Sequence, residues 1–324
     1  MGVYVDDLVH VYSDDASYSE TVESFKKDFH GYSDLGPLTE IFNAEIAVTD
    51  QFVTLTQTRY IESLAKLHLP EEEVTCKTYT PALVDLEQVV TDASKEGAVH
   101  LNEGDHSKYR EIVGAILYVA TVCRPDIAVA VGLLSRVLEA PTAATMVAAE
   151  RVLRYLVTTK ILGLRWQVGG GSELTGMSDS NWAVVKSTSG YVFFMAKAAI
   201  AYISKKQASI AMSSTEAEIM AASLAALEAV FLRGLLSELD CLQKSPTVLG
   251  VDNQGAIALA KNYVSNSRTK HIERRHLKIR ELVEEFMVKP EFVPTNDNVA
   301  DILSKPLGKD KFEKFRRVLL NHAI

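Results

Sequence analysis

A chain of 324 residues, 47% hydrophobic and 23% charged, has room for two or three modest domains with packed cores, which excludes a disordered or low-complexity polymer. It holds no run of eighteen apolar residues and no basic-then-apolar leader, so a soluble intracellular protein is expected, cytoplasmic and without a membrane-spanning segment. Net charge is −8, and three scattered cysteines (Cys76, Cys123, Cys241) suggest neither a disulfide framework nor a zinc site, so any metal is expected on oxygen ligands.

The chain opens with β-prone runs at 3–5 and 8–12 around Asp6-Asp7, which predicts a hairpin with a two-residue turn. Residues 17–30 are predicted helical, 45–56 form a second hairpin and 57–68 a helix. Residues 71–107 are polar, with Pro81, Gly97 and Gly104, and are expected to be a linker leading into a new unit. Tyr109, Ile112, Val113, Ile116, Leu117 and Val119 then recur at helical spacing. Breaks at Arg124-Pro125-Asp126 and Pro141-Thr142 divide residues 108–160 into a small helical subdomain without a catalytic constellation.

At Gly169-Gly170-Gly171 both pattern and charge change. Residues 1–165 hold 14 Lys+Arg against 25 Asp+Glu, a balance of −11; residues 166–324 hold 20 against 17, a balance of +3. A basic unit that contacts phosphates fits this sign change, and so does a plain difference between solvated surfaces. Strands are predicted at 174–178, 191–195, 200–204, 247–251 and 291–293, with helices at 214–239, 254–262, 268–285, 297–304 and 309–321. That order predicts an α/β unit with a mixed sheet.

Four carboxylates stand out in this unit. Asp179 follows the run ELTGMS and Asp252 follows the apolar run VLGV, each at the end of a predicted strand, where open α/β sheets expose their crevice. Either is equally readable as a helix cap or turn residue. In Ser213-Ser214-Thr215-Glu216-Ala217-Glu218, Ser213 and Glu216 have capping-box spacing, which gives Glu216 a structural role. Glu218 instead falls beside a stripe of Met220, Leu224, Leu227 and Leu235, where a carboxylate needs a counter-charge or a metal. Asp301 belongs to a helix that Asn296 is expected to cap, and Val299, Ile302 and Leu303 around it predict docking onto the sheet. Four carboxylates gathered in one place would repel one another, and a pair of Mg²⁺ or Mn²⁺ ions resolves this. Two such ions can hydrolyse a phosphodiester without a covalent intermediate.

The ordered segments SDSNW, STSGYVFF, SKKQ, IAMSSTEAEIMAA, VDNQGAIALAKN, SRTKHIERRHLKIRE and FVPTNDNVADILSKPL resemble the ribonuclease H domain of copia-type retrotransposon Pol polyproteins. Upstream, YVDD, DLGPLTEIF, TLTQTRYIESLAKL, YREIVGAILYVATVCRPDIAVAVGLLSR and AAERVLRYLVTTKILGLRW resemble the end of the reverse transcriptase and its connecting region. The resemblance implies a partial palm over residues 1–75 and a helical thumb or connection over 76–168. It further implies a ribonuclease H-like domain over 172–308, with a mixed five-stranded sheet and flanking helices, and a C-terminal helix over 309–324. It implies hydrolysis of the RNA strand of RNA–DNA hybrids with two Mg²⁺ (or Mn²⁺) ions on Asp179, Glu218, Asp252 and Asp301, in the cytoplasm, the nucleus or a retrotransposon particle. The rest of the Pol polyprotein is the implied partner. Asp6 and Asp7 match the paired aspartates of the polymerase hairpin, and the first metal-binding aspartate has no counterpart, so polymerase activity is not expected from this chain alone. Ser213, Ser214 and Thr215 are candidates for contacts to substrate 2′-hydroxyls.

Some positions depart from the family pattern. The loop from Trp182 to Ser187 is short, EIFNAEI lacks the usual glycine, and residues 293–298 contain no histidine. The short loop leaves a second expectation open, a catalytically inactive nucleic-acid-binding remnant. Arg268, Lys270, Arg274 and Arg275 lie in a dense basic run that reads either as a phosphate-tracking helix face or as solvated surface. Lys309, Lys311, Lys314, Arg316 and Arg317 read as solvated, with Phe312 and Phe315 inward, and Trp166 and Trp182 read as core residues.

Overall fold

Strands form where β-branched and aromatic residues cluster, and three sheets result among the described residues. The computed structural model describes the chain apart from residues 1, 5–6, 13, 30, 32, 72–76, 184–185, 262–277 and 323–324. A small ladder pairs β1 (Gly2–Tyr4) with β2 (Asp7–Val9), Tyr4 opposite Asp7. Asp7 therefore starts the second strand rather than completing the turn, and Asp6 lies outside the described residues. Helix α1 (Asp15–Asp28) follows, its first turn capped by the Asp14 side chain.

The second sheet joins β3 (Glu40–Ile41), β4 (Ala44–Val48) and β5 (Phe52–Thr56), and β6 (Leu164–Gln167) adds to β5 from far along the chain. β6 is missing from the predicted elements because four residues cannot display an alternation. Between them run α2 (Thr58–His68), α3 (Leu86–Ala93), α4 (Glu103–Val122), α5 (Ala128–Leu134) and α6 (Ala143–Thr158). Helix α3 corrects the expectation of an irregular linker: Leu86, Val90 and Ala93 are buried at helical spacing among polar neighbours. The predicted break at Pro125 is a single 3-10 turn, Pro125–Ile127.

Arg124, just before that turn, is fully buried. Its guanidinium grips Asp126 at 2.9 and 2.8 Å and donates to the carbonyl and hydroxyl oxygens of Thr159. The Tyr155 hydroxyl donates to the same carboxylate at 2.5 Å. Every polar group of this cluster is answered inside the protein, which is the condition for burying an ion pair without a large cost.

The third sheet is mixed and five-stranded. The meander β7 (Thr175–Asn181), β8 (Thr188–Met195) and β9 (Ala198–Lys206) is antiparallel. β10 (Thr247–Val251) lies parallel to β7, and β11 (Val288–Phe292) parallel to β10, giving the order β11-β10-β7-β8-β9. This is the sheet that the resemblance implies. Helix α7 (Ser214–Glu238) crosses one face, with α8 (Gln254–Lys261) and α9 (Lys278–Glu284) beside it. Its sheet-facing side is built of Ala222, Ala225, Ala226 and Ala229, small enough for helix and sheet to approach closely. Leu227 and Leu235, expected in the core-facing stripe, are instead exposed, because the alanines take the inner positions. The helix is long and apolar enough to cross a membrane by composition, but its inner side is buried on the sheet.

The other face of the sheet shares a core with the helical region. Val192 and Ala199 pack in one cluster with Ile116, Leu134 and Tyr155, and with Phe312, Phe315 and Leu319 of α10 (Lys309–Leu320). Each large side chain buried there contributes about 1.5–3 kcal/mol. The 3-10 turn Val299–Leu303 wedges Val299, Ile302 and Leu303 into the same core. Its cap is Asn298, whose side chain accepts from the Ala300 amide, and not Asn296 as the sequence suggested.

Candidate functional site

Three carboxylates converge where β7, β10 and α7 meet. Asp179, Glu218 and Asp252 each offer an oxygen such that all three lie within 4.8 Å of one another. Asp179 is not at a strand end as expected but inside β7, opposite Gly190 of β8. β10 pairs with β7 so that Gly250 faces Met177, and the same offset sets Asp252, just past β10, beside Asp179. Glu218 comes from the first turns of α7, on the face turned to the sheet, and is buried.

The helix start explains why Glu218 and not Glu216 reaches the site. The Ser213 hydroxyl oxygen accepts from the Glu216 amide at 3.1 Å, and the Glu216 carboxylate accepts from the Met212 amide at 2.7 Å. Glu216 thus caps the helix, one residue upstream of the regular reciprocal bond. Glu218 accepts from the amide and hydroxyl of Ser180 through Oε1 alone, at 3.2 and 2.8 Å. Its Oε2 is buried and has no hydrogen-bond partner among the described residues.

Burial dominates the electrostatics. It pushes Asp179 up to about 7, with Asp301 and Asp252 adding repulsion against the relief from Lys305 and Ser304. It pushes Glu218 up to about 8, with Asp179 and Asp252 repelling and Ser180 partly compensating. Crowded carboxylates with one unanswered oxygen form a donor set that suits a hard divalent cation, so the residues fit Mg²⁺ or Mn²⁺.

Asp301 lies close to this trio but is differently engaged. Its side chain is fully buried, Lys305 pairs with Oδ1, and Lys311 pairs with Oδ2 at 2.5 Å. Lys305 also stands 3.9 Å from Asp179 Oδ2, and the Ser304 hydroxyl donates to that same oxygen. Asn298 ties the turn to the sheet by donating to the Ser178 carbonyl at 2.9 Å. Sequence reasoning missed Ser304 and Lys305, although Lys305 lies four residues beyond Asp301, the spacing of a helical ion pair. The solvated reading of Lys311 is corrected, since it is half-buried and pairs with Asp301, while Lys314 is exposed as expected, beside the exposed Asp297 at 2.8 Å.

Ser214 is exposed and Thr215 half-buried at the start of α7, and Ser213 is held by its cap. Trp182 is half exposed rather than core, its ring nitrogen donating to the Ala211 carbonyl at 3.1 Å. Trp166 is half-buried against the shared core. Arg268, Lys270, Arg274 and Arg275 lie outside the described residues, as does the tip of the short loop after Trp182.

No protein-family model matches the chain. It is 34% identical over 332 residues to the retrovirus-related Pol polyprotein from transposon TNT 1-94 of Nicotiana tabacum, which covers 99% of this chain and 24% of the relative. It is 33% identical over 235 residues to the putative transposon Ty5-1 protein YCL074W of Saccharomyces cerevisiae, covering 70% of this chain and 73% of that protein. Among solved structures, the N-terminal RNase H domain of rv2228c from Mycobacterium tuberculosis aligns with 45% of this chain and 96% of its own. That match has a TM-score of 0.32 and 14% identity. The chain spans about a quarter of the length of the Pol polyproteins it matches. It belongs to the retrovirus-related Pol polyproteins of copia-type transposons.

Proposed function

We propose that the chain hydrolyses the RNA strand of RNA–DNA hybrids at the site of Asp179, Glu218, Asp252 and Asp301, with two Mg²⁺ or Mn²⁺ ions. The observation that carries this reading is the gathering of three carboxylates with oxygens within 4.8 Å of one another, one of them a buried Glu218 with an oxygen that no hydrogen bond answers among the described residues. When bound, such ions activate water and stabilise the leaving oxygen of a phosphodiester.

The chain's own residues prepare the site. Ser180 holds one oxygen of Glu218 through its amide and hydroxyl and leaves the other without a hydrogen bond. The Ser304 hydroxyl donates to Oδ2 of Asp179 and so restrains that carboxylate. Asp252 is only half-buried and marks the side from which a phosphate enters. Ser214 stands exposed at the start of α7, four residues before Glu218, and that spacing supports reading its hydroxyl as a contact to a substrate 2′-hydroxyl. The remaining Pol polyprotein is the proposed partner that supplies the hybrid.

The test is cleavage of an end-labelled RNA–DNA hybrid by the purified full chain with Mg²⁺, Mn²⁺ or EDTA. Metal-dependent loss of the RNA strand is expected, with duplex DNA and single-stranded RNA spared. Asp252→Asn should lower the rate by at least about a thousand-fold while hybrid binding persists. A folded wild type that binds hybrid without cutting it would establish the inactive binding remnant instead.

A further inference from the structure

Four carboxylates and two ammonium groups share this corner of the fold. Asp301 lies at the centre of the second half, with Lys305 on one oxygen and Lys311 on the other. Lys305 does more than pair with Asp301, because its ammonium also stands 3.9 Å from Asp179 Oδ2. It therefore bridges a carboxylate of the trio to the fourth one. A divalent ion shared by Asp179 and Asp301 would have to occupy the same space, and the two cations exclude one another by volume and by charge. On the other side of the trio, Lys305 and Lys311 make their ion pairs with Asp179 and Asp301, and one buried oxygen of Glu218 has no hydrogen-bond partner among the described residues.

The charge balance points the same way. Asp179, Glu218, Asp252 and Asp301, if ionised, are opposed by Lys305 and Lys311, which leaves two negative charges. One divalent ion neutralises them. A second would leave the site positive until a phosphate arrives or an ammonium leaves. Lys305 can leave. Its side chain is about a third exposed (36%), and an ammonium on a flexible four-carbon stem can swing to water. Its backbone cannot follow, since the Lys305 amide bonds to the Asp301 carbonyl and Pro306 fixes the chain beyond it.

We propose that Lys305 is a built-in cation of the site, occupying the place between Asp179 and Asp301 that a second divalent ion needs. The free protein then takes up one ion on Asp179, Glu218 and Asp252, and a second only as Lys305 is displaced. The inference rests on the reading of those three residues as metal ligands, and makes Lys305 a positioning residue that sets the order of ion loading.

The experiment is Mn²⁺ binding to the full chain without nucleic acid, followed by the electron paramagnetic resonance signal of free Mn²⁺ and by calorimetry. One tight ion and a second at least about ten-fold weaker are expected for the wild type. Lys305→Met and Lys305→Gln should each tighten the second ion about ten-fold or more, whereas Lys305→Arg should behave as wild type. Asp252→Asn should abolish the tight ion. Circular dichroism checks that each variant is folded. Acylation of Lys305 in the unmutated protein, read by mass spectrometry during the titration, supplies an independent measure and should rise only as the second ion loads. Two equivalent ions in the wild type, or Lys305→Met and Lys305→Gln curves that overlay it, would overturn the proposal. Absence of any ion from the wild type would overturn the metal reading of the site itself.

Discussion

Gly190 and Leu303 meet backbone to backbone: a Cβ on the glycine would stand 2.8 Å from the leucine carbonyl carbon. Gly190 is also the residue opposite Asp179 across β7 and β8. The bare backbone at 190 is what lets the 3-10 turn settle on the sheet and deliver Ser304 and Asp301 to Asp179. Gly190→Ala should lift that turn, destabilise the protein by about 1–3 kcal/mol in urea unfolding and cut hybrid cleavage sharply. Gly114→Ala, in α4 with nothing within 4 Å, is the control and should gain up to about 1 kcal/mol. Equal effects at the two positions would sink the account.

The metal-free protein should lose stability as pH rises. Asp179 and Glu218 are pushed up to about 7 and about 8, so the folded state keeps protons that the unfolded chain has released. Their contribution is complete below about pH 4 and disappears as pH passes through about 7 to 8. Melts in EDTA between pH 5 and 9 should show a decline of up to about 1.4 kcal/mol per pH unit for each retained proton. Glu218→Gln should flatten the slope, and so should a saturating divalent ion. A rising profile in EDTA would contradict the burial of these groups.

Arg124 should be among the most costly residues to remove outside the site. Arg124→Met strands the Asp126 carboxylate in the core and takes one of two donors from the Thr159 carbonyl, which keeps the Leu162 amide. A loss of about 3–5 kcal/mol is expected in chemical denaturation. Tyr155→Phe, which deletes a single donor to Asp126, should cost about 1–2 kcal/mol. Similar small losses for both would mean that the cluster is wet.

The β3–β4 hairpin carries avoidable strain. Phe42 and Asn43 both adopt left-handed backbone, with φ of 52° and 53°. An Asn-Gly pair suits this turn far better, so Phe42→Asn with Asn43→Gly should raise stability by about 1 kcal/mol in a thermal melt. A lower melting temperature would show that the Phe42 ring contributes more than its half-exposed position suggests.

The sheet was legible mainly through β8 and β10, whose runs are aromatic or β-branched, whereas the polar TGMSDSN of β7 hid that this strand continues past Asp179; the helix cap at Ser213 was enough to separate Glu218 from Glu216. Helix α3 was not, since Glu87, Gln88, Thr91 and Asp92 outnumber the buried Leu86, Val90 and Ala93. The convergence of Asp179 with Asp252 depends on strand register, which spacing alone does not reveal. Lys305 could be found from its distance to Asp301 in sequence. Lys311 could not, because it returns from α10 beyond the bend at Pro306, and only tertiary structure brings it to Asp301. Trp182 was misplaced because a large aromatic side chain says how much area it offers, not whether anything covers it.

The core shared by Val192 and Ala199 with Ile116, Leu134 and Phe315 bears on what a break in the chain would do. A protease cutting in the glycine turn at residues 169–171 would leave two fragments joined by that one apolar interior, and pulling them apart would carry half of it into water on each. Parted after such a nick, the chain becomes two sticky pieces rather than two independent domains.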